Sequence, residues 1–259
     1  MTATNAAEHD LDALPEHLGI YVYGVVGTTA GVDHADLTGL DDAPVALVAA
    51  GDVAAAVGVI ALQRPPGRKR DLVAHSSVLD ALAERGPVVP AQFGTVLLDA
   101  ADVRAELLES REEELRSMLA ELAGRRQFTV RGRYNEQAVL AEVVAQNPEI
   151  AELRRRTRDL PDDAAHGDRV RLGELVARAL DAKREDDAAI VMEAVLPHVV
   201  SYVPREGSSV DHMMEVAFLV DDDRRDAFED ALEALAEAMH ERVRLQLLGP
   251  MAPYDFVGP

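Results

Sequence analysis

Gln127-Phe-Thr-Val-Arg-Gly-Arg-Tyr134 is the stretch from which the fold can be read. Apolar Phe128, Val130 and Tyr134 alternate with polar Thr129, Arg131 and Arg133, the two-residue period of a half-buried strand. Helical spacing follows through Leu140, Val143 and Val144, and Pro148 opens a further helical piece. Pro161, Asp162, Asp163 and Gly167 make Asp159 to Asp168 read as an exposed loop, after which Val170 to Glu193 is helical again. His198 to Val203 and Met213 to Val220 read as strands joined by a loop from Pro204 to Ser209. Asp221 to Glu241 is a helix with Phe228, Leu232, Leu235 and Met239 on one face, and Arg242 to Leu248 is a last strand ended by Gly249-Pro250. The order β, interrupted α, β, β, α, β is the split βαβ arrangement of a ferredoxin-like sandwich.

Upstream the pattern is a looser version of the same idea. Leu18 to Val26 is a β-branched and aromatic run, and Gly27 to Ala43 is a polar loop. Val45 to Val48 and Val53 to Ile60 are apolar runs that meet across Gly51-Asp52, a hairpin signal. Asp71 to Arg85 places Leu72, Leu79 and Leu82 on a helical face closed by Gly86-Pro87. Val88 to Leu97 reads as a strand. Asp99 caps one long helix, with Val103, Leu107, Leu115, Met118 and Leu122 recurring at threes and fours before Gly124. The expected class is α+β in two domains: a flexible tail over 1–17, an N-terminal α+β domain of modified ferredoxin-like type over 18–125, and a C-terminal ferredoxin-like domain over 126–259 with inserted helices and a closing tail. The length of 259 residues suits two modest domains.

Composition then removes whole classes of function. With Lys+Arg 26 against Asp+Glu 47 the net charge is −21, and such a field repels phosphate backbones and anionic lipid. Nucleic acid and lipid membrane are therefore not expected partners. Zero Cys excludes disulfides, thiolate metal sites and cysteine nucleophiles, while zero Trp and 4% aromatics leave little for base stacking. The first ten residues are polar and acidic, without the basic-then-apolar order of a secretory signal, and the most apolar window, Ala43 to Leu62, is interrupted by Gly51-Asp52. The expectation is a soluble, cytoplasmic protein.

A search for chemistry returns no catalytic constellation. None of the eight histidines lies three or four residues from another, so helical metal pairs are absent. His75 and Ser76 are adjacent, and adjacent residues do not face one another on a helix. His198 and His212 flank the expected hairpin as loop-edge residues. The acidic runs at 112–114, 185–187 and 221–223 lack the spaced ligands of a calcium loop; the first two fan outward on helices and the third sits at a helix start. Gly24 to Gly31 matches neither glycine-rich phosphate motif. The basic groups Arg64 with 68–70, and Arg154 to Arg156, are expected to pair within the chain or with an acidic segment. No catalytic residue, cofactor or metal is expected.

Two segments are left over. Proline interrupts the strand in Pro87-Val-Val-Pro-Ala-Gln-Phe-Gly-Thr-Val96, which implies an edge or a bulge. The chain ends on Leu247-Leu-Gly-Pro-Met-Ala-Pro-Tyr-Asp-Phe-Val257, apolar and aromatic where most tails are polar. At their positions these segments resemble the gas vesicle protein family GvpF/GvpL. Its opening strand is similar to Gly19-Ile-Tyr-Val-Tyr-Gly-Val-Val26, and its "lPvRFGT" signature to Val89-Pro-Ala-Gln-Phe-Gly-Thr95. Its "LAFLV" strand is similar to Val216-Ala-Phe-Leu-Val220, and its closing "TGPWPPYsFV" to Leu248-Gly-Pro-Met-Ala-Pro-Tyr-Asp-Phe-Val257. The order and spacing of all four agree. Gln92 stands where the family carries Arg, and Met251 where it carries Trp.

The resemblance implies a non-enzymatic accessory or minor structural protein of the gas vesicle. Such proteins serve assembly of this cytoplasmic organelle and contact its small hydrophobic shell protein and other accessory proteins. It singles out Pro90, Phe93, Gly94, Thr95, Gly249, Pro250, Pro253, Tyr254 and Phe256 as signature positions, structural or in contact with a partner. From the residues themselves, two expectations are added. The apolar N-terminal strands from Val45 to Leu62 would offer the shell contact through their sheet, as an exposed apolar or edge-strand surface, and the tail would fold back near the domain junction, with Pro90 and Phe93 as partners, and pin the two domains together. A ferredoxin-like sandwich that senses a small ligand is the alternative, and an enzyme, such as a carboxylate-based hydrolase, is the third class.

Overall fold

The structure, a computed structural model, describes residues 11–28, 34, 36–207, 209 and 211–258. The chain forms two compact units, one of Met1–Gln127 with Gly249–Pro259 and one of Phe128–Leu248.

In the first unit β1 (Leu18–Gly27), β2 (Ala46–Ala50), β3 (Val53–Ala61) and β4 (Val88–Pro90) form a sheet in the order β2-β3-β1-β4, with β5 (Val96–Leu97) also beside β1. The β2–β3 hairpin turns at Gly51-Asp52, where Gly51 takes the left-handed φ of 57° that glycine adopts without steric cost. Helix α1 (Lys69–Arg85) packs Val78, Leu79 and Leu82 onto the face bearing Tyr21, Tyr23, Ala54 and Ala56. Leu72, expected on that face, is 52% exposed, whereas Val78 is buried. Val53 to Val57 are consecutively buried, so both faces of this sheet are covered. Between β1 and β2 the described residues hold a 3-10 turn, Leu40–Asp42, in the place of the first helix of a full split βαβ unit.

Four expectations about this unit need correction. The strand expected over Val88 to Leu97 is two short strands separated by a tight turn, because Pro90 cannot donate to a ladder. The helix after Asp99 is not continuous. Asp99 does cap it, accepting from Asp102 N–H at 2.9 Å, but a π-helical stretch, Val103–Leu108, and a 3-10 turn, Glu109–Arg111, precede α2 (Glu112–Leu122). The extra residue per turn shifts the phase, so Leu108 rather than Leu107 is buried, and Leu119 rather than Met118. Residues 11–17 of the expected flexible tail are largely exposed but anchored at both ends: Leu11 is buried, its carbonyl accepts from Ala100 N–H, and Leu62 N–H donates to His17 C=O. Residues 1–10 of that tail lie outside the described residues, as do 29–33 of the glycine-containing stretch tested for phosphate binding.

In the second sheet β6 (Arg125–Tyr134), β7 (Ser201–Arg205), β8 (His212–Asp221) and β9 (Val243–Met251) lie in the order β7-β8-β6-β9. This is again second-third-first-fourth, the antiparallel ferredoxin-like order, and both sheets therefore share one topology. Three helices stand between β6 and β7: α3 (Glu136–Gln146), α4 (Pro148–Thr157) and α5 (Asp162–Val195); α6 (Arg225–Met239) follows β8. Phe128, Val130, Phe218 and Phe228 form the centre of the core with Val191 and Val195 of α5. The loop expected over Asp159 to Asp168 is mostly helix. Pro161, extended at φ −56° and ψ 152°, stands at the cap and starts α5, and burial of Ala165 outweighs the presence of Gly167. The last strand also runs past the expected stop at Gly249-Pro250, which form a cis peptide bond, to Met251. As an edge strand β9 tolerates the proline.

The closing tail, expected with the second domain, packs with the first unit instead. The reason lies in the bonds it finds there.

Candidate functional site

The two leftover segments converge in the first unit. After β4, Ala91 N–H donates to Tyr23 C=O, and the chain turns tightly over Gln92 to Thr95. Gln92 C=O accepts both the Thr95 N–H at 3.1 Å and the Thr95 hydroxyl at 2.8 Å. Gly94 is the third residue of that turn with φ 94°, and an added Cβ would meet nothing, so conformation and not space demands glycine. Gly94 N–H donates to the Tyr21 hydroxyl at 3.2 Å, and Phe93 stands edge-on to Tyr21 and His75 with centroids 6.3 and 5.5 Å apart.

His75, on α1, is 1% exposed. Its Nδ1 lies 2.9 Å from the Tyr21 hydroxyl, and its Nε2 is buried without a well-formed hydrogen bond. Burial lowers its pKa to about 4, and the nearby Ala91 backbone offsets this only in part. Burial likewise pushes the Tyr21 phenol up to about 12. Ser76 turns its hydroxyl to Val73 C=O at 3.0 Å, so the adjacent His75 and Ser76 are not brought together.

The tail is held from three sides. Ala252 N–H donates to Asp80 Oδ1 at 2.9 Å, and Ala252 and Pro253 are buried. Asp255 exchanges two bonds with the fully buried Gln127: its N–H donates to Oε1 at 3.0 Å and its Oδ2 accepts from Nε2 at 2.6 Å. Tyr254 lies in the same core as Phe93, its ring 6.4 Å from His75. Its hydroxyl is buried without a partner among the described residues, and burial raises its pKa. Phe256 closes a 3-10 turn, Tyr254–Phe256, and Gly249 and Pro250 are exposed on β9. Gln127 and Asp80 are the residues sequence reasoning missed; an amide at a strand start and an acid on a helix give no local sign of binding a tail. The unpartnered hydroxyl gives a sharp expectation. Tyr254→Phe should change stability by less than about 1 kcal/mol, since nothing is left unpaired, whereas Tyr254→Ala should cost about 2 kcal/mol for a half-buried ring. Urea midpoints of the two variants check this.

Pro90, Gln92 and Thr95 of the first segment and Tyr254 and Val257 of the second line one cavity of about 570 Å³. Its remaining wall is largely apolar: Val25, Val89, Leu107, Leu115 and Met118. Arg111 lies at the same cavity but is held by Glu114 through bonds of 2.8 and 2.9 Å. Such a hole suits an apolar side chain flanked by an amide. Among the described residues no group of three or more His, Asp or Glu is placed to hold a metal ion, and no helix is long and apolar enough to cross a membrane.

The other candidates are placed as follows. Arg64 and Arg70 both reach Asp41 at 3.1 Å, Arg155 reaches Glu152, and Arg156 reaches Asp168, so these four side chains pair within the chain. Glu114 pairs with Arg111, and Glu112 Oε1 accepts from Asp52 N–H. The run at 185–187 departs from the expected solvated face, because Asp187 is 2% exposed and sits in an ion cluster with Arg242 and Lys183.

Two α+β units of one ferredoxin-like strand order, with the end of the chain returned to the first, define the structural class. Residues 19–258 match the family described as Gas vesicle synthesis protein GvpL/GvpF. The chain is 32% identical to "Gas vesicle protein F" of Streptomyces sp. over 242 residues, 93% of this chain and 100% of that one. It is 28% identical to "Gas vesicle protein L" of the same organism, covering 92% of each. The crystal structure of GvpF from Anabaena sp. shares the fold at a TM-score of 0.79 and 21% identity, covering 93% of this chain and 98% of that chain. The chain belongs to the GvpL/GvpF family of gas vesicle proteins.

Proposed function

We propose that this protein is a non-enzymatic assembly factor that holds the small hydrophobic shell protein, and with it other accessory proteins, at the gas vesicle in the cytoplasm. Family membership over residues 19–258 carries the gas vesicle part of the reading. Convergence of both signature segments on one apolar-walled cavity of the first unit carries the binding part. Val53 to Val57 are core, which removes their faces from the expected contact and leaves it the edge at β2. The cavity between the Phe93 turn and the tail, beside the β4 edge, takes their place. An apolar partner segment entering it gains burial at roughly 25 cal/mol per Å² without competing with the acidic surface.

The test is co-purification of the shell protein with the full chain. Met118→Glu and Val257→Glu put charge on the cavity wall without entering the main core. They should lower the recovered shell protein at least tenfold with the melting temperature unchanged; undiminished recovery would sink the reading. The volume also falls within the range of small-molecule sites, roughly 300–1,000 Å³, which keeps the ligand-sensing alternative. That alternative gains if the same variants leave shell binding intact but abolish a ligand-induced rise in melting temperature.

A further inference from the structure

The two sheets end in four edge strands, β2 and β4 in one and β7 and β9 in the other. A bare strand edge offers unpaired N–H and C=O groups, and proteins commonly blunt it with proline or charge. Proline lies within three of the four, as Pro90 in β4, Pro204 in β7 and Pro250 in β9. Strand β2, Ala46-Leu-Val-Ala-Ala50, has neither proline nor a charged side chain. Residues 43–51 are uncharged throughout, in a chain that is 28% charged.

The hairpin fixes which groups this edge presents. A two-residue turn closes on a hydrogen-bonded pair, here Ala50 and Val53, so Ala46, Val48 and Ala50 bond to β3 while Leu47 and Ala49 turn N–H and C=O outward. Val45 stands in the same outward row, and its N–H is taken by Leu37 C=O at 3.1 Å. That contact goes no further, because Leu37 N–H turns back to His34 C=O at 3.0 Å. Among the described residues no backbone group meets Leu47 or Ala49 from outside. Leu47 is half-buried against the core, and Ala49, on the same face, is exposed. We infer that β2 is a strand-addition site for an uncharged, aliphatic segment of another protein, bound in extended form. Main-chain bonds to Leu47 and Ala49 would hold the segment, and its large side chains would cover both residues. A charged segment would lose hydration against these aliphatic groups with no counter-charge to meet. A second copy of the chain would bring a further −21 to the contact, which opposes pairing β2 with itself. The inference rests on the proposed shell contact for the partner's identity but not for its chemistry.

The probe is an acetylated, amidated decapeptide of alternating Val and Thr with one terminal Trp, which reports binding without background because the chain has no Trp. One sister peptide replaces Val with Glu. Another is N-methylated along its backbone, which keeps the side chains and removes the donors. The full chain should bind the probe at least tenfold more tightly than either sister. In the free chain the Leu47 and Ala49 amides should exchange rapidly with deuterium, and the probe should slow them at least tenfold. Ala49→Pro removes an outward donor without touching the bonds to β3, and should weaken the probe at least tenfold; Ala49→Lys serves if the proline variant melts early. Met118→Glu, which tests the cavity, should leave the probe bound, so failure of that reading and of this one are separable. Protection of the Leu47 and Ala49 amides in the free chain, equal affinity for the N-methylated sister, or affinity unchanged in both Ala49 variants overturns the proposal. Two further outcomes also overturn it: loss of the probe in Met118→Glu, which puts it in the cavity, and dimerisation without probe that Ala49→Lys abolishes, which makes the occupant a second copy.

Discussion

Asp187→Ala should destabilise the second unit by about 3–5 kcal/mol, the usual cost of removing one partner from a buried ion pair. Asp187 is 2% exposed, yet its carboxylate is fully used. Arg242 Nη1 donates to both oxygens at 2.7 and 2.8 Å, and the Tyr134 hydroxyl donates to Oδ2 at 2.9 Å. Lys183 Nζ stands 3.6 Å away and is shared with Glu142 at 2.9 Å. The cluster thus ties the inserted helices α3 and α5 to β6 and to the start of β9. Deleting the carboxylate leaves a guanidinium and a phenol partly buried without their partner. Asp187→Asn keeps the shape and one acceptor, so it should cost less. The pair itself need not be stabilising, because desolvation opposes its Coulomb energy. Asp187→Leu with Arg242→Met should therefore recover much of the loss, and urea denaturation of the three variants measures it. A loss below about 1 kcal/mol for Asp187→Ala, the range of exposed pairs, would show that the cluster is solvated.

Why Asp187 escaped a sequence reading is instructive. Glu185-Asp-Asp187 is locally indistinguishable from a solvated helix face, and its burial depends on Tyr134 and Arg242, 53 and 55 residues away. The strand order of the second unit was legible because period-two alternation at 128–134 and the apolar runs at 213–220 and 242–248 are local signals. For the first unit the α+β class was legible from apolar runs and turn residues. The π-helical phase shift was not, since Leu107 and Leu108 both fit a helical stripe until packing chooses between them. Pro161 carried two meanings, loop and helix start, and only the packing of Ala165 decides. The tail was readable as folded back, from its aromatics and prolines. Its destination was set by the buried Gln127 and the half-buried Asp80, which nothing in their neighbourhoods announces.

Acid should loosen the first unit through His75. Burial depresses its pKa to about 4, below the ordinary value of 6.5 that the unfolded chain retains. Between those values the unfolded state binds a proton that the folded state refuses, so stability falls as pH drops and rises as pH climbs. Each pH unit of that gap is worth about 1.4 kcal/mol, so the loss between pH 7 and pH 4 approaches ~3 kcal/mol. The groups facing the imidazole give it no anion to lean on: Tyr21, Tyr23, Phe93 and Tyr254 surround the ring. Asp80, which holds the tail at Ala252 N–H, works in the opposite sense. Burial raises its pKa, so its penalty is relieved as pH falls and it offsets part of the His75 slope. A comparison of variants removes this offset. His75→Gln keeps a neutral polar side chain and cannot titrate, so its stability should decline less steeply than the wild type below pH 6.5. The same window should release the tail, because Tyr254 packs against the ring that must take up the proton. Parallel stability profiles for wild type and His75→Gln from pH 7 to pH 4 would show that the imidazole is hydrated after all. A steeper wild-type profile would tie the acid sensitivity of the first unit to the aromatic cluster in which the Phe93 turn and the closing tail meet.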